Sequence, residues 1–551
     1  MTRSIGPRSR LESLKKEAKQ WLKSLESGDA AALARFRNAV PDQGEEKITL
    51  RAVQLALARE HGLPGWQALL DALEPHQREL REAADEMLRS AIFKGRDLDV
   101  AARLYERHPE VAGLDIYCAV AAGNLAEVER RLAADPSAAS RVGGPFDWPP
   151  LLYLAYLRWP GGGAASVEVA RALLDRGADP NASWNDGWDN PFKVLTGVIG
   201  LGEGVQPPHE RADDLAQLLL ERGADPFDTQ SLYDTAIVDD NTHWLDVLWA
   251  HSERRGVVDR WRTVLVGDKM PVSWLDWLLG VAVSYNHPRR VEWTLARGAN
   301  PNAPHAYSKR RLLDEALLHG HSAMADLLKR HGASDAPPDD GVAFGIACRN
   351  FERAEIRRLA ALHPEYLRDS EVMLMAARTN RRDLVELLLD LGMDVDIADQ
   401  GDTRALNVAA GNGAIEVMQL LMERGADIDR PTKHYGPPLG FAAHFGQQAA
   451  IALLVPRTRD VHNLANLGKK ERLRELFAAE PALVNLVHFR SGNTPLFWLP
   501  EQEPDALEMA RFLLEHGADP RVRDKGGDTP ADAARKRGFT AVAALLSAPP
   551  S

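Results

Sequence analysis

Apolar residues along this chain recur in steps of three and four. Val385, Leu388 and Leu389 form one such set, Met418, Leu421 and Met422 a second, and Ala510, Leu513 and Leu514 a third. That spacing lays an apolar stripe along one face of a helix. Each stripe ends on a glycine, in "LLLDLGMD", "LLMERGAD" and "FLLEHGAD". Glycines fall in the same relative place at Gly177, Gly223, Gly298, Gly332, Gly392, Gly425 and Gly517. A helix stops readily at a residue in left-handed geometry, which glycine adopts without steric cost. Four further stripes end on Pro109, Pro136, Pro364 or Pro481, where the ring removes a donor and restricts its predecessor.

A shorter pattern precedes each long one. Leu406, Ala409 and Ala410 repeat the helical spacing, as do Met373, Ala376 and Ala377; alanine there lets neighbouring helices approach closely. "SGNTPLF" and "GGDTPADAA" open such segments with Thr494-Pro495 and Thr529-Pro530, a capping hydroxyl followed by a residue suited to the first turn. The predicted unit is therefore helix, tight turn, helix and a loop of turn residues. Two adjacent pairs of marker glycines, 298 with 332 and 392 with 425, are spaced about one 33-residue repeat apart.

The words "TPL", "AAGNG", "LLLERGAD" and "RGADPNA" resemble those of the ankyrin-repeat family. The resemblance covers roughly residues 85–551, as about 14 units on a fixed-period reading, and is strongest at the units ending on Gly177, Gly392, Gly425 and Gly517. It implies an all-α solenoid of stacked helix-turn-helix units with short hairpin-like loops. The family's threonine-proline-leucine-histidine word is never complete: Phe497, Asp532 or Asn407 stands at the histidine position. The insertions "RWPGGGAAS" and "LGEGVQPPHERAD" make the array irregular. The expected organisation is a helical leader or cap over 1–80, divergent repeats with insertions over 85–340, and repeats with a C-terminal capping unit over 341–551. The leader is similar to one found on some bacterial members. Its first 25 residues carry seven Lys/Arg against two Glu, read as a solvated amphipathic cap, with an electrostatic docking arm as the other reading.

Composition narrows the function. The 551 residues include 45% hydrophobic and 26% charged positions, with a formal net charge of −12. Those proportions are globular, and the charge argues against nucleic-acid or anionic-membrane binding. Cys118 and Cys348 cannot supply a disulfide framework, which fits a reducing, cytoplasmic location. The start lacks a secretory core, and "LLYLAYL" falls far short of the ~20 residues a membrane span needs. Both cysteines lie in apolar first helices and read as buried hydrophobes. The "HGH" pair, His319 and His321, reads as the turn between paired helices rather than a metal site. "GLGEGV" opens no strand-to-helix unit. The expectation is no catalytic residue, no metal and no cofactor.

Function on a solenoid falls to the loop tips and concave face, with another protein as partner. Candidate contact residues are aromatics with a polar edge at loop positions: Trp184 and Trp188, His305 and Tyr307, His434 and Tyr435, and His488 and Phe489. The tryptophan pair leads, as two large rings within five positions. The leading reading is a non-enzymatic interaction scaffold. The alternatives are an enzyme or effector with a site hidden in the leader or a degenerate repeat, and an inhibitor that blocks a toxin.

Overall fold

The computed structural model describes residues 11–41, 48–92, 98–185, 187, 191–202, 206–433, 436–488 and 490–547. Among them the chain is a succession of short helix pairs. Fourteen pairs run from Trp66–Ala91 with Leu98–Arg107 to Pro530–Lys536 with Thr540–Ser547, counting the 3-10 turn Pro495–Phe497 as one first member. Strand structure is confined to two small hairpins, Ser183–Trp184 with Phe192–Lys193 and Leu265–Gly267 with Met270–Ser273, and a few isolated bridges. Residues 1–316 with 323–334 form one compact unit, and 317–322 with 335–551 another.

The Gly-Ala-Asp word has a separate local reason at each letter. Gly425 sits at φ +89° and its amide closes on Met422. The following Ala426 donates to the Leu421 carbonyl at 2.9 Å, five residues back, and both side chains are buried. This is the glycine-terminated helix cap, with its apolar contact made by alanine. Asp427 then turns the chain outward, its Oδ1 accepting the Asp429 amide at 3.1 Å. The pattern repeats at Gly517, where Ala518 donates to Leu513 and Asp519 accepts from Arg521. Where proline ends the word, the helix closes just before it and a 3-10 turn follows, as in Pro136–Ala139 and Pro481–Asn485.

In three of these loops an asparagine ties one loop to the next. Asn181 donates to the Gly223 carbonyl at 3.0 Å and accepts the Asp225 amide at 2.8 Å. Asn302 does the same with Gly332 and Ser334, and Asn485 with Gly517 and Asp519. These amides satisfy backbone groups that the turns leave without partners.

The alanine stripes are buried as expected: Ala376, Ala377, Ala409 and Ala410 expose nothing. Within residues 335–551 one continuous core runs from Phe344 to Leu546, so each pair covers its neighbour's apolar face. The leader has a core of its own, built from Leu14, Trp21, Phe36, Leu57 and Leu69 among others.

Two local expectations are corrected. The leader boundary placed between 80 and 85 falls inside the single helix Trp66–Ala91; Leu80, Ala84, Met87, Leu88 and Ala91 continue its buried stripe with no breaker. Thr494-Pro495 opens only a three-residue 3-10 turn, and the Thr494 hydroxyl caps nothing. At Thr529 the expected cap is present, a reciprocal box with Asp532. The insertion after residue 157 is tied down by side-chain hydrogen bonds. Trp159 is buried and donates to the Ala121 carbonyl at 2.8 Å. Arg158 donates to the carbonyls of Ala155, Leu157, Gly197 and Pro207, and burial lowers its pKa to about 10.

Candidate interaction surface

Several of the loops between helix pairs rise as short hairpins, and two of them share an aromatic row. Trp184 pairs with Phe192 across the hairpin Ser183–Trp184/Phe192–Lys193. Its ring stacks on Phe192 at 4.6 Å and 11°, and on its other side meets Trp148 at 5.4 Å and 25°. Trp148 stacks in turn on Phe146 at 4.9 Å. Trp148 is buried, whereas Phe146, Trp184 and Phe192 are half-buried and present partial faces. Tyr153 braces the row from below, accepting the Phe146 amide and donating to the Gly143 carbonyl. Beside the row, Val142 is 62% exposed. Below it lies a buried carboxylate, Asp228, which accepts from Thr196 and Ser231 at 2.7 Å and has the Lys193 ammonium 3.6 Å away.

His305 and His488 serve one structural device. Each imidazole Nδ1 meets the hydroxyl of the serine three residues on, Ser308 and Ser491, at 3.1 Å. Each backbone amide donates to the residue five on, Arg310 or Asn493, and each carbonyl accepts from the residue four on, Lys309 or Gly492. Lys309 and Gly492 are both left-handed, at φ +63° and +77°. The pair of histidines therefore builds hairpin tips. His305 is buried beneath its tip, with Nε2 3.2 Å from the Ser284 hydroxyl, so it offers no face to a partner and its assignment as a contact residue is corrected. Tyr307 beside it is 58% exposed.

Within residues 335–551 the tips are linked. Lys433 donates to the Gln400 carbonyl at 2.6 Å, Arg490 reaches the Lys433 carbonyl, and the Lys525 amide donates to Ser491. Val487 and Leu486, beside His488, are 55% and 43% exposed. His488 itself is half-buried; its ring lies 5.4 Å from that of His462 and 5.5 Å from Trp498. His462 is buried and its Nε2 donates to the Leu486 and Asn493 carbonyls. It thus supplies a tie between neighbouring pairs, while Asn407 and Asp532 close caps within their own helices. Burial holds both His462 and His488 below the ordinary histidine pKa, and in His488 the neighbouring imidazole adds to the effect.

Cys118 and Cys348 are buried without exposure. Burial raises the Cys118 thiol strongly and pushes that of Cys348 up to about 12. Among the described residues, no three His, Cys, Asp or Glu gather as metal ligands, and no helix is long and apolar enough to cross a membrane.

Of the eight residues expected at the contact surface, Trp184, His305, Tyr307 and His488 are described; Trp188, His434, Tyr435 and Phe489 lie outside the described residues. Sequence reasoning missed Phe146, Trp148 and Phe192. "GPFDWPP" carried the signal, since its aromatics occupy the loop position where Trp184 sits one unit later. It also missed Val142 and Val487, valines standing alone among turn residues.

Family models of ankyrin repeats match residues 345–432 and 372–464 as runs of three copies, and 491–525 as one repeat. Over 40 residues the chain is 52% identical to YahD of Escherichia coli (strain K12), whose name describes an ankyrin repeat protein. That match spans 7% of this chain and 20% of YahD.

Proposed function

The chain is an ankyrin-repeat protein over residues 345–464 and 491–525, and from that premise we propose that it is a non-enzymatic scaffold holding a partner protein on its loop tips and the inner face of its first helices. Repeats of this kind are protein-interaction modules. What carries the finer reading is the character of the tips. Val142, Tyr307, Leu486 and Val487 are exposed large hydrophobics, and all four stand on loops after capped helices. Large apolar and aromatic groups at a surface are the anchors of binding hot spots. The tips are also fixed, by His-to-Ser bonds and tip-to-tip carbonyl bonds, so little ordering entropy is lost on docking. The buried, high-pKa thiols and the structural employment of His305, His462 and His488 favour a scaffold over a hidden nucleophile or acid-base site.

The decisive experiment uses two tip variants, Val142→Asp with Phe146→Ala and Leu486→Asp with Val487→Asp. Helical circular dichroism is recorded beside quantitative capture of proteins bound by the unaltered chain. The expected result is wild-type helicity with a specific partner reduced tenfold or more by one pair. A partner retained by both pairs places binding elsewhere and removes the tips from the proposal.

A further inference from the structure

The leader carries a second surface, separate from the tips. Helix Leu50–Glu60, capped by the Thr49 hydroxyl, packs its Val53, Ala56 and Leu57 into the leader core. Its other side lines a groove of about 910 Å³ walled by Val40, Ala52, Leu55 and Trp66, with Thr49, Gln54 and Gln67 beside them. Among the described residues that line it, Arg51 and Arg59 are the charged ones. Two leader carboxylates, Glu60 and Glu17, both hold Arg35, at 2.6 and 2.7 Å. Among the described residues neither Arg51 nor Arg59 makes an ion pair, and both are exposed. Residues 1–80 carry thirteen Lys/Arg against eleven Asp/Glu, a net of +2, in a chain whose total is −12. The leader is thus weakly cationic in an anionic protein.

A cap that only shields the first repeat requires a polar outer face. It does not require an apolar trough with an unspent guanidinium at each end. We propose that this groove docks an acidic amphipathic helix of a partner protein, with carboxylates on Arg51 and Arg59 and an apolar side chain between them on Leu55 and Trp66. The two arginines stand eight residues apart on one helix, ~12 Å along its axis at 1.5 Å per residue. Carboxylates seven or eight positions apart on a second helix match that span, and arginine suits them because its fork accepts bidentate pairing. Two cations over an apolar floor fit a helix with one apolar anchor better than a nucleic-acid backbone, which needs a longer run of positive charge.

The test is a fluorescein-labelled series of 14-residue helical peptides with Leu midway between two Glu, the Glu spacing varied from three to eleven positions. Binding to the full chain is read by anisotropy at two salt concentrations. Affinity is expected to peak at spacings of seven and eight, and to fall at least tenfold with Gln in place of Glu. Arg51→Gln with Arg59→Gln should abolish that peak, and Trp66→Ala should weaken it several-fold. Lys23→Gln with Arg37→Gln, removing equal charge elsewhere on the leader, should leave it in place. Four results would overturn the proposal: absence of binding, equal binding at every spacing, equal loss in the control pair, or tighter binding of an oligothymidine of similar length. Light scattering that shows concentration-dependent dimers lost in Arg51→Gln with Arg59→Gln would assign the groove to a second copy instead. The tip variants above do not touch this groove, so failure here and failure there are separable.

Discussion

Replacing Gly425 with alanine isolates the helix-ending device. At φ +89° an L-residue with a Cβ is strained, by about 1–2 kcal/mol for left-handed backbone. An added Cβ would meet no atom within 4 Å, so collision adds nothing. Alanine also narrows the unfolded ensemble, which offsets about 0.4–1 kcal/mol. The net expectation is a loss of about 1 kcal/mol, roughly a five-fold rise in local opening, since 1.4 kcal/mol is tenfold. Global denaturation is a poor readout for an array that opens locally. Hydrogen exchange read by mass spectrometry over Ile415–Glu423 is the appropriate assay. Gly425→Asn should cost less, because asparagine tolerates left-handed geometry. Gly267→Ala, at a glycine without positive φ and with open space around it, should be neutral. Unchanged or stronger protection in Gly425→Ala would refute the reasoning, as would an equal loss in Gly267→Ala.

Other outcomes follow from the same geometry. Asn485→Ala removes the ties to Gly517 and Asp519 and should cost about 0.5–1.5 kcal/mol, since both groups lie near solvent, read as faster exchange over 481–519. His209 is buried, donates its backbone amide to Val198 and accepts the Arg211 amide on Nδ1; burial lowers its pKa to about 4. Its unfolded pKa is ~6.5, so the unfolded chain binds more protons below that value. Stability is therefore full above pH 6.5 and falls towards pH 4, by ~3 kcal/mol, and hydrogen-exchange protection over Ala212–Glu221 in His209→Gln should depend less on pH across that window. Cys118 and Cys348 should resist a thiol reagent at pH 8 in the folded chain and react within minutes in denaturant.

The unit was legible because its signals are local. Glycine, alanine and aspartate each act on backbone within five residues, as at Gly425, Ala426 and Asp427. The alanine stripes, the Thr529 box and the buried cysteines were readable for the same reason. Trp184 was singled out, but its stacking partner Trp148 was not, because that contact joins two loops 36 residues apart. His305 and His488 belong to a middle case. The serine three residues on was visible in "HAYS" and "HFRS", but a histidine beside an aromatic reads as surface chemistry until the hairpin is seen. The leader boundary failed because a repeat-based reading looks for a new unit where the chain continues a helix.

The most direct measurement is residue-level exchange across 340–547 after Leu421→Ala. Leu421 is fully buried in the shared core of that segment, and its truncation should cost about 2–5 kcal/mol. If each helix pair leans on its neighbours, protection falls most in 415–423, less in the adjoining pairs 370–390 and 438–454, and stays intact in 530–547. A uniform loss across 340–547 would instead mean one indivisible globule, and a loss confined to 415–423 would mean that the pairs do not support one another.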